Sequence, residues 1–109
     1  MVMRRGEIRW ASKAGSGKKT PVLVIQENEF NDSRIPTVLC AVISDNLRLT
    51  HAPGNVFLST RASELGRDAV INVAQLVTVN RTVLSAPVAS LGGRLLREVN
   101  DGLRLVLAV

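Results

Sequence analysis

Short apolar runs separated by turn residues fill most of the chain and predict a set of β-strands. In residues 6–12, Ile8 and Trp10 fall on one face of the first strand, as alternating side chains require. The later runs are rich in valine and isoleucine, which favour strands, and are bounded by Pro, Gly, Asn or Asp. The predicted strands are residues 6–12, 21–26, 37–44, 55–59, 69–73 and 76–79, with Gln75 at the break between the last two.

A different spacing begins after Gly92 and Gly93 and predicts one amphipathic helix. Its apolar positions recur every three or four residues, and charged positions fall on the opposite side. The apolar set is Leu95, Leu96, Val99, Leu103, Val106 and Leu107, and the charged set is Arg94, Arg97, Asp101 and Arg104. Gly102 is expected to weaken the middle of this helix because glycine is a poor helix former.

Two polar segments between strands are predicted to be surface loops. Residues 13–19 are small, flexible and cationic, and residues 27–36 are too long for a hairpin turn. Strands that do not alternate with helices favour a small, strongly bent antiparallel sheet, or half-open barrel, with the terminal helix packed against it. The length of 109 residues suits a single domain covering residues 1–109.

The net charge of +5 is concentrated near one end of the chain. Residues 1–19 carry six basic side chains and one acidic side chain, whereas the other residues carry equal numbers of both. A segment of this kind is typical of a protein that meets phosphate or an acidic partner there. A solvated basic arm is the alternative interpretation.

Composition also restricts the compartment. No apolar run reaches the roughly 20 residues needed to span a bilayer, and no signal-type hydrophobic stretch follows Arg5. Cys40 is the single cysteine, which excludes an internal disulfide and favours a reducing compartment. We therefore expect a cytoplasmic protein that does not enter a membrane.

The common catalytic motifs are absent from the sequence. Residues 15–19 resemble part of a phosphate-binding loop but lack its upstream glycine and the hydroxyl residue after a Gly-Lys pair. His51 is the only histidine, so a two-histidine ribonuclease mechanism is excluded, and Cys40 is interpreted as a core residue. Neither a Cys/His cluster nor a local carboxylate pair indicates a metal, so we predict no metal and no cofactor. With only 3% aromatics, Trp10 and Phe30 are the candidates to contact a base.

A series of short blocks, in a fixed order, resembles the MazF/PemK-type toxins. The blocks are GEIRW at 6–10, PVLVIQ at 21–26, FN at 30–31, TV at 37–38, AVIS at 41–44, GNVFL at 54–58, RDAVIN at 67–72 and QLVTV at 75–79. Each block alone is weak, but their order and spacing cover nearly the whole chain. The similarity is strongest to the mycobacterial type.

This resemblance implies both a fold and an activity. The fold would be mainly β with a C-terminal helix, a half-open antiparallel barrel related to the SH3-like fold, and the molecule would be a homodimer. The activity would be metal-independent, sequence-selective cleavage of single-stranded RNA to 2′,3′-cyclic phosphate and 5′-hydroxyl ends. A cognate antitoxin would inhibit it by placing an acidic, extended tail in the cationic RNA groove.

The family's two catalytic positions are an arginine directly before the Pro-Val strand and a threonine at the end of the next long strand. The second position corresponds to Ser44, which keeps a hydroxyl able to donate the same hydrogen bond. The first corresponds to Thr20, whose neutral side chain cannot replace an arginine. Candidates for the missing positive charge are Lys19, Lys18, Arg9 and Arg81. A residue altered to silence a toxic enzyme is the remaining alternative.

We therefore expect Ser44, Thr20 and Lys19 to be catalytic. The candidate RNA-binding residues are Lys13, Lys18, Asn31, Arg34, Arg67, Asp68 and Gln75. Asp68 and Gln75 match family positions near the binding surface, and the others are charged or polar loop residues. A turn-capping role for Asp68 and a solvated position for the others are the alternatives.

Two other functions remain open at this point. The first is a binding module on the same fold, weakened by Thr20, that grips RNA or antitoxin without cutting. The second is inhibition of DNA gyrase, as in toxins of related fold that act through the terminal helix. Residues 105–109 lack an aromatic anchor for that contact, which disfavours the second function.

Overall fold

A computed structural model describes residues 2–13 and 15–109 of the chain. These residues form six strands and three α-helices, joined by loops and two short 3-10 helices at Leu47–His51 and Arg81–Val83. The strands are β1 (Glu7–Ser12), β2 (Lys19–Val24), β3 (Thr37–Ser44), β4 (Val56–Leu58), β5 (Ala69–Asn80) and β6 (Ala89–Ser90). The helices are α1 (Asn28–Asn31), α2 (Thr60–Ser63) and α3 (Gly93–Leu107).

The six strands form one antiparallel sheet in the order β4-β5-β3-β2-β1-β6. The short strands β4 and β6 form its edges, which limits the length of unpaired backbone. The predicted bent antiparallel sheet with a terminal helix is therefore confirmed, and the C-terminal helix begins near the predicted position.

Apolar side chains cover both faces of the sheet. On one face, Leu23, Ile43 and Ile71 belong to the main core, together with Val99 and Leu103 from α3. Because these side chains are almost fully removed from water, they supply most of the packing energy between sheet and helix. The opposite face carries a smaller cluster of Met3, Val22, Val24, Val38, Cys40 and Leu84.

The prediction of two separate strands at 69–73 and 76–79 is wrong, because β5 is continuous. The interruption lies in its pairing with β3. Ala41 is opposite Leu76, but the next residue, Val42, is opposite Asn72, so residues 73–75 form a bulge. Gln75 is at the predicted break, and the bulge bends the strand without ending it.

One local prediction needs correction, and the expected weakening of α3 by Gly102 stays a prediction. Residues 27–36 contain the helical turn α1, which is capped by the Glu27 side chain. The helix α3 continues through Gly102 without a break. Gly102 lies at the point where this helix meets the backbone of Gly54. A Cβ at Gly102 would lie 2.9 Å from the Gly54 carbonyl carbon and 3.2 Å from its Cα. A glycine in the helix thus allows a contact that no side chain would permit.

None of the helices in the described ranges is long and apolar enough to cross a membrane.

Candidate active site

The cleft of interest forms where β2 separates from β3. The two strands pair from Val24 opposite Cys40 to Val22 opposite Val42, and the pairing ends there. Continuing the same register would place Thr20 opposite Ser44. Instead, Thr20 remains paired only with Ala11 of β1, and a gap opens between the strands.

The gap is a cleft of about 250 Å³ that brings several predicted site residues together. Trp10 and Pro21, which face each other across β1 and β2, contribute apolar surface. The polar side chains of the cleft are Lys19, Thr20, Ser44, Asp45, Arg67 and Gln75. All three predicted catalytic residues therefore line one cleft, together with two of the predicted RNA-binding residues.

The hydroxyl of Ser44 is well placed to donate a hydrogen bond. Its Oγ accepts the backbone N–H of Asn46 at 3.1 Å, which fixes the oxygen at the end of β3. Within the described ranges, its proton is not donated to another protein group. A hydroxyl whose oxygen is anchored and whose proton is unused can donate to an incoming acceptor.

Gln75 reaches the cleft because of the β5 bulge. Two backbone N–H groups of this bulge lose their partners in β3 and are satisfied by asparagine side chains instead. Val73 N–H donates to Asn55 Oδ1 at 3.0 Å, and Ala74 N–H donates to Asn72 Oδ1 at 3.2 Å. The bulge is therefore a stable feature, and it leaves the exposed Gln75 amide at the cleft wall.

Arg67 comes from the turn between α2 and β5. Asp68 closes this turn by accepting both the backbone N–H of Thr60 at 2.8 Å and its hydroxyl at 2.9 Å. Arg67 then forms a loose ion pair with Asp45 at 3.4 Å across the cleft. Asp68 itself does not line the cleft, so its visible role is to hold the segment that carries Arg67.

A second groove of about 470 Å³ continues from the cleft along the outer face of the sheet. It shares Thr20, Val42 and Gln75 with the cleft, and the other valines along it are Val22, Val77 and Val79. Lys13 lies at its rim. Lys18 closes the β1–β2 hairpin by accepting the Lys13 N–H at 2.8 Å, but it lines neither groove.

The six basic residues of the N-terminal segment divide into two groups. We call Lys13, Lys18 and Lys19 the lysine edge. All three are exposed, and within the described ranges no carboxylate lies within ion-pair distance of their ammonium groups. These charges remain available to a phosphate.

We call Arg4, Arg5 and Arg9 the arginine anchor. Arg4 pairs with Asp32 at 2.6 Å, and Arg5 donates to the Ile25 carbonyl and to Asn100, each at 2.8 Å. Of the six basic side chains near the N-terminus, only the three of the lysine edge are therefore available to a ligand.

Arg9 is the member of the arginine anchor that is fully buried. It donates to Glu7 at 2.7 Å and to the Ser85 carbonyl at 2.7 Å. It therefore does not lie in the cleft as a substitute for the missing arginine. Arg81 does not either, since it donates to the Ile35 and Phe30 carbonyls in another groove.

Two predicted RNA-binding residues also lie elsewhere. Asn31 is buried, and its amide is used by Gln26 and Asn28. Arg34 lines the groove near Arg81. The structure does not bring these two residues to the cleft.

Cys40 is fully buried, and its burial raises the pKa of the thiol to about 12, against a smaller lowering by Arg9. A thiol held in its neutral form is a poor nucleophile. His51 is exposed at the end of a 3-10 helix and does not line the cleft. In residues 2–13 and 15–109, no three metal-ligating side chains lie together.

Sequence reasoning missed Asp45 and Leu65 as cleft residues. Asp45 follows Ser44 directly, so its position after a predicted catalytic residue was an available signal. Leu65 lies in the turn that carries Arg67, and no local pattern indicates its place.

Comparison with known proteins places this geometry in context. Residues 4–107 match the family described as PemK-like, MazF-like toxin of type II toxin-antitoxin system. The chain is 46% identical to endoribonuclease MazF6 of Mycobacterium tuberculosis over 98% of both chains. It is 28% identical to endoribonuclease EndoA of Bacillus subtilis over 100% of this chain and 97% of that protein.

Solved structures agree on the fold. A mycobacterial endoribonuclease in complex with its cognate antitoxin superposes with a TM-score of 0.83 at 16% identity, covering 98% of this chain and 96% of the other. A MazE–MazF complex from Deinococcus radiodurans gives a TM-score of 0.80 at 17% identity, covering 100% and 98%. The half-open barrel with its terminal helix is therefore the fold of these proteins.

Proposed function

Since this chain belongs to the PemK-like, MazF-like toxins of type II toxin–antitoxin systems, we propose that it is an endoribonuclease that cleaves single-stranded RNA at short sequences without a metal ion. The observation that carries this proposal is the cleft at the ends of β2 and β3. An exposed ammonium, an anchored hydroxyl and a guanidinium line it together. The curated relatives, which are named endoribonucleases, support the same reaction class.

The reaction that suits these groups is an internal transesterification. The ribose 2′-oxygen attacks the adjacent phosphorus, the bond to the 5′-oxygen breaks, and a 2′,3′-cyclic phosphate forms. The 2′-hydroxyl loses one proton and the leaving 5′-oxygen gains one, so the step balances without water as a reactant. The protein must offset the negative charge that grows on the phosphate oxygens.

Four side chains have distinct roles in this proposal. Lys19 offsets charge on the phosphate and replaces the cation that Thr20 does not provide. Ser44 donates its unused hydroxyl proton to a non-bridging oxygen. Thr20 adds a neutral hydroxyl at the same wall, and Arg67 holds an adjoining phosphate.

The RNA path follows from the cleft and the lysine edge. Single-stranded RNA carries one negative charge per nucleotide, so Lys13 and Lys18 attract it beside the cleft, where Gln75 offers an amide to a base. Asn31, Arg34 and Asp68 do not line the cleft and are assigned no direct contact with the reacting nucleotides.

The same surface suits an antitoxin. We propose that a cognate antitoxin inhibits the chain by placing an acidic, extended segment over the lysine edge and the cleft. A homodimer is also proposed, because the end of α3 leaves apolar side chains exposed on a small protein. These side chains are Leu105, Val106, Leu107 and Val109. An RNA substrate implies a cytoplasmic location.

The test is incubation of the purified protein with a long RNA of defined sequence in EDTA, followed by mapping of the fragment ends. We expect discrete cuts with cyclic phosphate on the 5′ fragment. The Thr20→Arg variant serves as a positive control, because it restores a guanidinium at the wall of the cleft. Absence of cuts with both proteins would contradict the proposed activity, and cuts only after added divalent metal would contradict metal independence.

Thr20 itself favours a second candidate function. A neutral side chain at this position supports a weakened toxin that binds RNA or antitoxin without cutting. Cleavage by the Thr20→Arg variant alone, with salt-sensitive RNA binding by the unmodified chain, would select this second function.

A further inference from the structure

Asp45 is the acidic side chain of an otherwise cationic cleft. Among the described residues that line it, Lys19 and Arg67 carry positive charge and only Asp45 carries negative charge. Asp45 follows the candidate catalytic Ser44 directly in the chain. It therefore lies close to the place where the scissile phosphate would bind.

The pairing of Asp45 is weak. Its carboxylate lies 3.4 Å from the Arg67 guanidinium, longer than the 2.7–2.9 Å typical of charge-assisted hydrogen bonds. Both side chains are 62% exposed, so water screens their attraction. An entering ligand can displace this pair at low cost and take up the acceptor oxygens of Asp45.

A carboxylate repels phosphate, so its presence at this site calls for a different ligand group. What a carboxylate binds well in RNA is an N–H donor on a base edge.

The inference rests on the function proposed above and deepens it. We propose that Asp45 is a specificity-determining residue that accepts a hydrogen bond from the amino group of a base beside the scissile phosphate. Adenine, cytosine and guanine each carry an exocyclic amino group, whereas the one N–H donor on the pairing edge of uracil, N3–H, lies between two carbonyl oxygens that a carboxylate repels. Asp45 would therefore disfavour uracil at one position of the recognised sequence.

The surroundings of Asp45 provide a place for such a base. Trp10 is half-buried in the wall of the same cleft, opposite Pro21, and offers an aromatic face. Stacking on an aromatic side chain holds any base and leaves its edge free for a polar group to read. The Gln75 amide offers both a donor and an acceptor to the same ligand.

The main experiment compares cleavage patterns of the unmodified protein and Asp45→Asn on an RNA library of random sequence. We expect the unmodified protein to disfavour uridine about tenfold at one position next to the cut, and Asp45→Asn to lose that preference. The expected change is in the ratio of cleavage rates between motifs that differ at this position, not in one rate common to all motifs.

Asp101→Asn is the matched control. Asp101 is an exposed aspartate paired with Arg104 at 3.1 Å on α3, so its removal changes the net charge equally but lies outside the cleft. It should leave the base preference unchanged. Arg67→Ala tests whether Asp45 acts only by holding Arg67, in which case both variants would change binding uniformly without altering base preference.

Binding keeps the proposal testable if no variant cleaves RNA. The ligands are a cytosine tract and a uracil tract, whose bases carry an amino group and a carbonyl, respectively, at C4. The signal comes from Trp10, which is the single tryptophan in a chain without tyrosine. Its fluorescence would then report affinity for both tracts, and Asp45→Asn should reduce the ratio of cytosine to uracil affinity. An unchanged ratio, or a uniform loss of cleavage on all sequences, would overturn the proposal.

Discussion

The arginine anchor and the lysine edge lie within the same nineteen residues and carry the same number of positive charges, but they differ in what surrounds them. Arg4, Arg5 and Arg9 bind carboxylates, carbonyls and an amide of the protein. The lysines extend into water beside the cleft. One group therefore stabilises the fold and the other is available to a ligand, although both contribute equally to the net charge.

The difference has a chemical origin. A guanidinium has five donors in a fixed plane and can satisfy several buried acceptors at once, as Arg9 does with Glu7, the Val2 carbonyl and the Ser85 carbonyl. An ammonium is more strongly hydrated and is costly to bury. Residue type thus separates the two groups better than charge does.

Replacing Arg9 should have the largest effect on stability. Arg9→Met would leave the Glu7 carboxylate in a buried site without its guanidinium, which costs about 3–5 kcal/mol of unfolding free energy. Chemical denaturation measures this loss, and Lys18→Met, at an exposed lysine, should change stability by less than about 0.5 kcal/mol.

The double variant Glu7→Gln with Arg9→Met checks the cause, because it removes the uncompensated charge and should recover part of the loss. Equal, small losses for Arg9→Met and Lys18→Met would remove the distinction between the two groups.

Replacing Lys19 should have the largest effect on activity. Lys19→Ala removes the cation that lines the cleft beside Thr20 and should lower the cleavage rate by about 10²–10³-fold. Lys18→Ala is the matched control, since its neighbouring ammonium does not line the cleft and its loss should weaken cleavage only a few-fold. Rates at saturating RNA measure both, and equal effects would show that the lysine edge attracts RNA without a specific role for Lys19.

The buried thiol of Cys40 should make the free energy of unfolding depend on pH in the alkaline range. The pKa of this thiol is raised from 9.0 to about 12 by burial, so the native state keeps a proton that the unfolded chain releases. The stabilising effect is complete below about pH 9 and is lost as the pH rises through 12. Between pH 8 and 10 the unmodified protein should lose about 1.4 kcal/mol more than Cys40→Ala does. Parallel curves for the two proteins would contradict this assignment.

The salt dependence of RNA binding should show the smallest effect. Removing one phosphate contact from a single-stranded complex lowers the slope of log affinity against log salt by about 0.7. We expect this change in slope for Lys13→Ala and for Lys18→Ala. The RNA affinity of each variant is measured by Trp10 fluorescence at several salt concentrations. Arg4→Ala should leave the slope unchanged because its guanidinium pairs with Asp32. A lower slope for Arg4→Ala would place part of the arginine anchor in the RNA path.

Much of the fold was predictable from local patterns. The apolar run at Thr37–Ser44 defines a strand because it is short and bounded by turn residues, and the helical spacing near the end of the chain defines a helix because its apolar positions recur every three or four residues. The β5 bulge was visible only as a break at Gln75, because continuity across a bulge depends on tertiary partners such as Asn55. Short elements such as α1 and β6 have too few residues to show any period.

The candidate site was predictable only in part. Ser44 and Thr20 followed from family positions, and Lys19 was chosen as the cation next to Thr20; the structure brings all three to one cleft. Asn31 and Arg34 were chosen as polar loop residues, but exposure in a loop does not determine which groove a side chain lines. Asp45 directly follows Ser44, but it was missed because its place in the cleft depends on residues that are distant in sequence, such as Trp10 and Arg67.

The contact between Gly54 and Gly102 also bears on how such a protein can diversify. The terminal helix touches the neighbouring loop through bare backbone, so that contact tolerates almost no substitution at Gly102. The apolar residues from Leu105 onward are exposed, so their side chains are not restricted in size in this way. The docking point of the helix can therefore stay fixed while the surface at its end changes together with the partner that it contacts, so one fold can serve different partners.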